Sequence, residues 1–130
     1  MNLESPKVTI DQTPQHLFDS LTDVKNFEKL MPDNIAKFEV IDDNTFIFGL
    51  KGMPEIKLRL KEKVAPNKII FGAASDKLPF TLTAKIDSVE NEKSEVQMLF
   101  DGEFNAMMAM MIKGPISKLI ETLTANMHKL

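Results

Sequence analysis

The sequence predicts an α+β protein, an antiparallel sheet of six or seven strands covered by one long carboxy-terminal helix, with two short helices after the first strand. Three observations carry this. Between residues 34 and 103, apolar residues recur at every second position in six separate stretches, the period of half-buried strands. Turn-forming clusters separate those stretches at hairpin-like intervals, so the strands pair antiparallel. From residue 104 onward the apolar spacing changes to three and four, the period of an amphipathic helix.

The elements follow in order. Val8 and Ile10 alternate with Lys7, Thr9 and Asp11, a short strand. Thr13-Pro14 offers a helix cap followed by proline at the first helical position, where a missing N–H costs little. In LFDSLTDVKNFEKLMPD the apolar residues fall at 17, 18, 21, 24, 27, 30 and 31, which predicts two short helices broken near Asp23 and ended by Pro32. Phe38 and Val40 begin the alternating region, followed by Phe46, Phe48 and Leu50, then by Ile56, Leu58 and Leu60 with Lys57, Arg59 and Lys61 on the other face. NKIIFGAA, FTLTAKIDS and SEVQMLFDG are the remaining strands. Asp42-Asp43-Asn44, Gly52-Met53-Pro54, Ala65-Pro66-Asn67 and the segment SDKLP mark the reversals.

The last helix places apolar residues at 104, 107, 108, 111 and 112, then at 116, 119, 120, 123, 127 and 130. Gly114-Pro115 interrupts it. Proline removes one intrahelical bond and crowds the preceding turn, at about 3 kcal/mol in an unrelieved helix, which predicts a kink or a restart. No linker, repeat or low-complexity segment divides residues 1–130, and one domain is expected.

Composition narrows the function. With 130 residues, 43% of them hydrophobic, the chain is able to bury its own core. Sixteen Lys plus Arg against 19 Asp plus Glu give a net charge of -3, which offers no general attraction to nucleic acid or anionic lipid. The absence of cysteine removes disulfides, thiolate chemistry and cysteine-based metal sites. MNLESPKVTI shows no signal-peptide pattern, and no segment approaches about 18 uninterrupted apolar residues. A soluble, cytoplasmic protein without stable membrane insertion is expected.

The opening VTIDQTPQHLFDSLTDVKNFEKLMPDNIAKFEV, the strands that follow it and the last helix from Phe104 to Met127 together resemble the START-like superfamily, also called Bet v 1-like or SRPBCC and including polyketide cyclase/dehydrase-like proteins. The resemblance covers almost the whole chain. It implies a helix-grip fold, in which a curved sheet wraps around the last helix with an apolar cavity between them. That superfamily includes lipid and hormone binders, cyclases, ring-hydroxylase domains and chaperone-associated modules, so the fold names no single activity. Ring-hydroxylase iron–sulfur chemistry does not carry over to a chain without cysteine.

Nine phenylalanines without a tyrosine or tryptophan give the interior little polarity. A filled core and a ligand cavity leave the same trace. On the cavity reading, the ligand-binding residues are Phe46, Phe48, Leu58, Phe71, Phe80, Leu82, Met98 and Phe100 from the sheet, with Met107, Met108 and Met111 from the helix. Met107, Met108, Met110 and Met111 cannot all face one sheet, because successive helical residues turn by about 100°. Methionine adapts to irregular surfaces, and a pocket mouth, a membrane-facing tip or a homodimer contact would each use it.

Other candidates have plainer explanations. His16 and His128 are expected at the surface. Asp19 and Asp23 share a helical face without a third ligand for a metal, and Asp101 with Glu103 marks a wet strand end. Lys57, Arg59, Lys61 and Lys63 form the solvated face of a strand. Aromatic residues do not alternate among them, so no nucleic-acid platform is assembled. P-loop, GxGxxG, HExxH and GxSxG patterns are absent. No cofactor is implied, and the expected partner is a small hydrophobic molecule, lipid or fatty-acid-like. Two further readings stay open: a polyketide cyclase/dehydratase-like enzyme and a protein-interaction module with a filled core.

Overall fold

The computed structural model describes residues 1–51, 55–74, 80–90 and 92–130. Strands β1 (Asn2–Glu4) and β2 (Val8–Ile10) are followed by helix α1 (Pro14–Thr22) and the 3-10 helix η1 (Val24–Leu30). Six strands come next: β3 (Ile35–Asp42), β4 (Thr45–Leu50), β5 (Ile56–Val64), β6 (Lys68–Ala73), β7 (Phe80–Glu90) and β8 (Lys93–Gly102). Helix α2 (Ala106–Ala125) and a short 3-10 turn, η2 (Met127–Lys129), complete the chain. The sheet order is β1-β8-β7-β6-β5-β4-β3, antiparallel throughout, and β2 also pairs with β8.

The opening strand is therefore two pieces on one edge, where the sequence suggested one. Ser5 and Pro6 separate them. The Ser5 N–H donates to the Met98 carbonyl, and the Ser5 hydroxyl accepts from the Met98 N–H, both at 2.9 Å. The strand thus breaks its ladder while leaving no backbone donor unmet at that point.

Register shifts bend the sheet, between Ile35 and Lys37, Val40 and Asp42, Leu60 and Glu62, and Ser88 and Glu90. Each inserts extra length on one strand and increases local twist. The shift in β5 also corrects the expected basic row. Glu62 lies opposite Ile70 and Lys63 opposite Ile69, whose side chain is fully buried. Residues directly opposite share a face, so Lys63 leaves the outer face that Lys57 and Arg59 occupy.

Three helical pieces cover the concave side, α1 against β6 and β7, η1 against β3 and β4, and α2 against β8, β1 and η1. Thr13 caps α1 by accepting from the His16 N–H, and Asp23 caps η1 by accepting from the Lys25 N–H. Asn105 caps α2 through the Met108 N–H at 2.8 Å. Within the core, Phe27 stacks on Phe46 with ring centres 5.0 Å apart and meets Phe71 edge-on at 4.9 Å. All three are fully buried.

Helix α2 runs through Gly114-Pro115 as one element, so the expected restart does not occur. Both residues are exposed, and water can reach the Met111 carbonyl that Pro115 leaves without a donor. The predicted apolar stripe divides one turn earlier, between Met111 and Ile112. Ile112, Ile116, Leu119, Ile120 and Leu123 are buried, whereas Met107, Met110 and Met111 are 74%, 84% and 66% exposed. The reversals Gly52-Met53-Pro54 and SDKLP lie outside the described residues.

Candidate functional site

A cleft of about 540 Å³ opens between the middle of α2 and the end of the sheet where β3 starts and β4 stops. Gly114, Pro115, Lys118, Leu119 and Thr122 supply the helical wall, and Pro32, Asn34, Leu50 and Lys51 the opposite one. Local structure fixes both walls. The Lys51 N–H donates to the Asn34 carbonyl, and the Ile35 N–H to the Pro32 carbonyl, each at 3.1 Å, so the strand ends hold together beyond their ladder. On the other side, Asn126 Nδ2 donates to the Leu30 carbonyl at 3.0 Å and ties the end of α2 to η1.

Leu50 and Leu119, both nearly fully buried, form an apolar floor. Lys51 and Lys118 are exposed on opposite walls. Among the described residues neither is ion-paired; the paired lysines are Lys7, Lys37 and Lys93. The site is thus an apolar slot bounded by two cations. No histidine or carboxylate is among its described lining residues.

The sheet residues expected to bind ligand lie elsewhere. Phe46, Phe48, Leu58, Phe71, Leu82, Met98 and Phe100 are buried in the core, and Phe80 is half-buried. Phe80 and Phe100 pack with ring centres 5.0 Å apart, and Phe104 stacks on Phe100 at 6.1 Å. This second aromatic group needs Gly102, since a Cβ there would lie 2.6 Å from the Phe104 ring. Met108 is half-buried, between the exposed Met107 and Met111. None of these residues is among those that line the cleft. The cleft residues carried weak signals in the sequence: Leu50 fell in an alternating strand, Leu119 on the apolar stripe of the last helix, and Gly114-Pro115 at an interruption.

The polar candidates occupy structural roles. His16 Nε2 and Leu130 O are 3.1 Å apart, and Gln12 Nε2 donates to the His128 and Leu130 carbonyls, so the two histidines lie near one corner without touching a cleft. His128 Nδ1 is 2.8 Å from the Ala125 carbonyl. Asp19 accepts from Gln15 Nε2, and Asp23 serves as the η1 cap. Glu103 lies past the end of β8 and does not share a strand face with Asp101. Among the described residues no cluster of three His, Asp or Glu side chains is placed to hold a metal ion, and no helix is long and apolar enough to cross a membrane.

An open, curved antiparallel sheet closed by a long carboxy-terminal helix is the helix-grip fold of START-like proteins, and this chain has it. Solved structures share it along nearly their full length. A START superfamily protein from Mycobacterium smegmatis aligns with a TM-score of 0.70 at 10% identity, over 98% of this chain and 97% of that one. The KanY protein aligns at 0.78 and 10% identity, over 99% and 95%. A conserved protein from Geobacillus kaustophilus aligns at 0.68 and 12% identity, over 99% and 93%. No protein-family model and no curated protein matches the sequence.

Proposed function

We propose that this protein binds and shields a small hydrophobic ligand, lipid or fatty-acid-like, in the cleft between α2 and the β3–β4 end of the sheet, without chemistry of its own. The observation that carries the reading is the cleft itself, about 540 Å³ over Leu50 and Leu119. That volume lies within the roughly 300–1,000 Å³ common for small-molecule sites. The fold supports it, because START-like folds often bind hydrophobic ligands. The proposal includes residues 1–130 as one domain and a cytoplasmic setting, with which a chain free of cysteine is compatible.

A cyclase or dehydratase is less well supported, since general acid–base work needs a proton donor or acceptor within reach of the substrate. Among the described residues of the cleft lining, lysine is the only titratable type. An interaction module has its own support in the Phe27, Phe46 and Phe71 packing that fills the middle of the concave face and in the exposed Met107, Met110 and Met111, which would also suit a homodimer. Native mass spectrometry of the freshly purified protein, followed by titration with lipids and a hydrophobic dye, separates these readings. A copurified molecule or saturable 1:1 binding is expected; its absence across the series moves the function to the interaction module.

A further inference from the structure

The helical wall of the cleft does not stop where the cleft does. Taking about 100° of turn per residue, Met107, Met111, Lys118 and Thr122 point within about 60° of one another, and Met108 and Pro115 within a further ~40°. The buried set is centred on Ile116, about 120° or more from those four, with Leu119 at its near edge beside the cleft, and Met110 lies on neither side. Lys118 and Pro115 line the cleft, so Met111, Met108 and Met107 extend its wall toward the start of α2, and two of those three are mostly exposed. One end of this track is cationic, with Lys51 and Lys118 both lining the slot. Its other end is thioether.

We propose that the site selects a single-chain amphiphile with an anionic head, the head held between Lys51 and Lys118 and the chain laid along α2 over Met111, Met108 and Met107. This rests on the binding reading above and adds the ligand's charge, direction and length. The charges favour an acid. Two like charges bordering a low-dielectric slot concentrate anions and repel cations, and lysine serves a carboxylate or a phosphate equally as a compact point charge. The far end favours a chain. Unbranched, polarisable side chains cover an irregular apolar tail and adapt to its position. From Lys118 to Met107 the helix rises about 16 Å at 1.5 Å per residue. An extended chain gains roughly 1.25 Å per carbon from a 1.52 Å bond at a tetrahedral angle, so a tail of about 13 carbons spans the track.

Four probes of one chain length test this: myristate, tetradecyl phosphate, methyl myristate and tetradecyltrimethylammonium, each titrated below its critical micelle concentration. Both acids are expected to bind at least about tenfold more tightly than the methyl ester, and the ammonium compound most weakly. A stronger response to one acid than to the other identifies the head. In the Lys51→Gln/Lys118→Gln variant, whose fold is checked by circular dichroism, the preference for acid should vanish while methyl myristate still binds. Selective methyl labelling should show acid-induced shifts at Met107, Met108 and Met111, with Met31 and Met127 unmoved, and affinity should rise from octanoate to myristate and then level off. Equal binding of acid and ester overturns the proposal but keeps a hydrophobic-ligand site. Failure of all four to bind overturns both. Methionine shifts that follow protein concentration in the absence of ligand overturn the path of the tail and assign the row to a second copy of the chain.

Discussion

Ser5 and Thr124 are two of the few buried polar residues, and they meet. Their hydroxyl oxygens lie 2.9 Å apart, within hydrogen-bond distance, Thr124 Oγ1 is 2.7 Å from the Ile120 carbonyl, and Ser5 Oγ accepts from the Met98 N–H. One small network therefore joins the first strand, the last strand and the last helix. Removing Ser5 leaves the buried Met98 N–H without its acceptor, which costs about 1–3 kcal/mol. Ser5→Ala is expected to lower stability by about that amount. Thr124→Val alone should cost less, because Ser5 keeps its bond to Met98, and a double-mutant cycle in urea should show that the two losses are coupled. Phe27 is the larger apolar counterpart. Phe27→Ala removes the ring that fills the space between Phe46 and Phe71 and should cost about 3–5 kcal/mol in the same measurement. Neither network could be read from the sequence. Ser5 carried no signal of its own and Phe27 read as one more apolar helical position, because the partners of each lie far away in the chain.

At the scale of elements, local pattern and tertiary placement contributed differently. Strands β3 to β8 were legible because their apolar residues alternate cleanly, and the β3–β4 turn because Asp42 and Asn44 are strong turn formers. β1 was not legible, since Asn2-Leu3-Glu4 offers a single apolar residue and becomes a strand only by pairing with β8. The β3–β4 hairpin gives a pH prediction. The Asn44 N–H donates to Asp42 Oδ1 at 2.9 Å, and this bond, followed by one from the Thr45 side chain, holds the Asp42 carboxyl below its ordinary value of 3.8. A carboxylate lowered on folding contributes its stabilisation above the unfolded value and loses it as pH falls through the folded one. The turn should thus be unaffected at neutral pH and loosen only below about pH 3.8. Carbon-detected titration should place Asp42 below 3.8, and Asp42→Asn should remove that step. Helix α2 gives a second prediction. A Cβ on Gly114 would meet no atom within 4 Å, so Gly114→Ala should add up to about 1 kcal/mol of stability through helix propensity alone, read from the urea midpoint.

Across the whole molecule, α2 is anchored unequally, and that inequality places the candidate site. Its later turns bury Ile116, Leu119, Ile120 and Leu123, share the Ser5–Thr124 bond and are tied to η1 through Asn126. Its first turns bury none of their methionines and are held by the Asn105 cap and the helix's own bonds. A cleft between such a helix and the sheet arises from the spacing of elements distant in sequence. The fold was therefore legible from residue patterns, whereas the position of the cleft was not. Local opening costs least where few apolar contacts must be broken. Amide hydrogen exchange should accordingly be fastest in α2 over residues 107–111 and slowest over 116–124, with β7 and β8 as slow as the latter. Binding along the cleft would add contacts mainly to the first segment, so a saturating acid should slow exchange at 107–111 and leave 120–124 unchanged. Equal protection along the free helix would show that the early turns are already covered, which would remove the basis for a ligand track there.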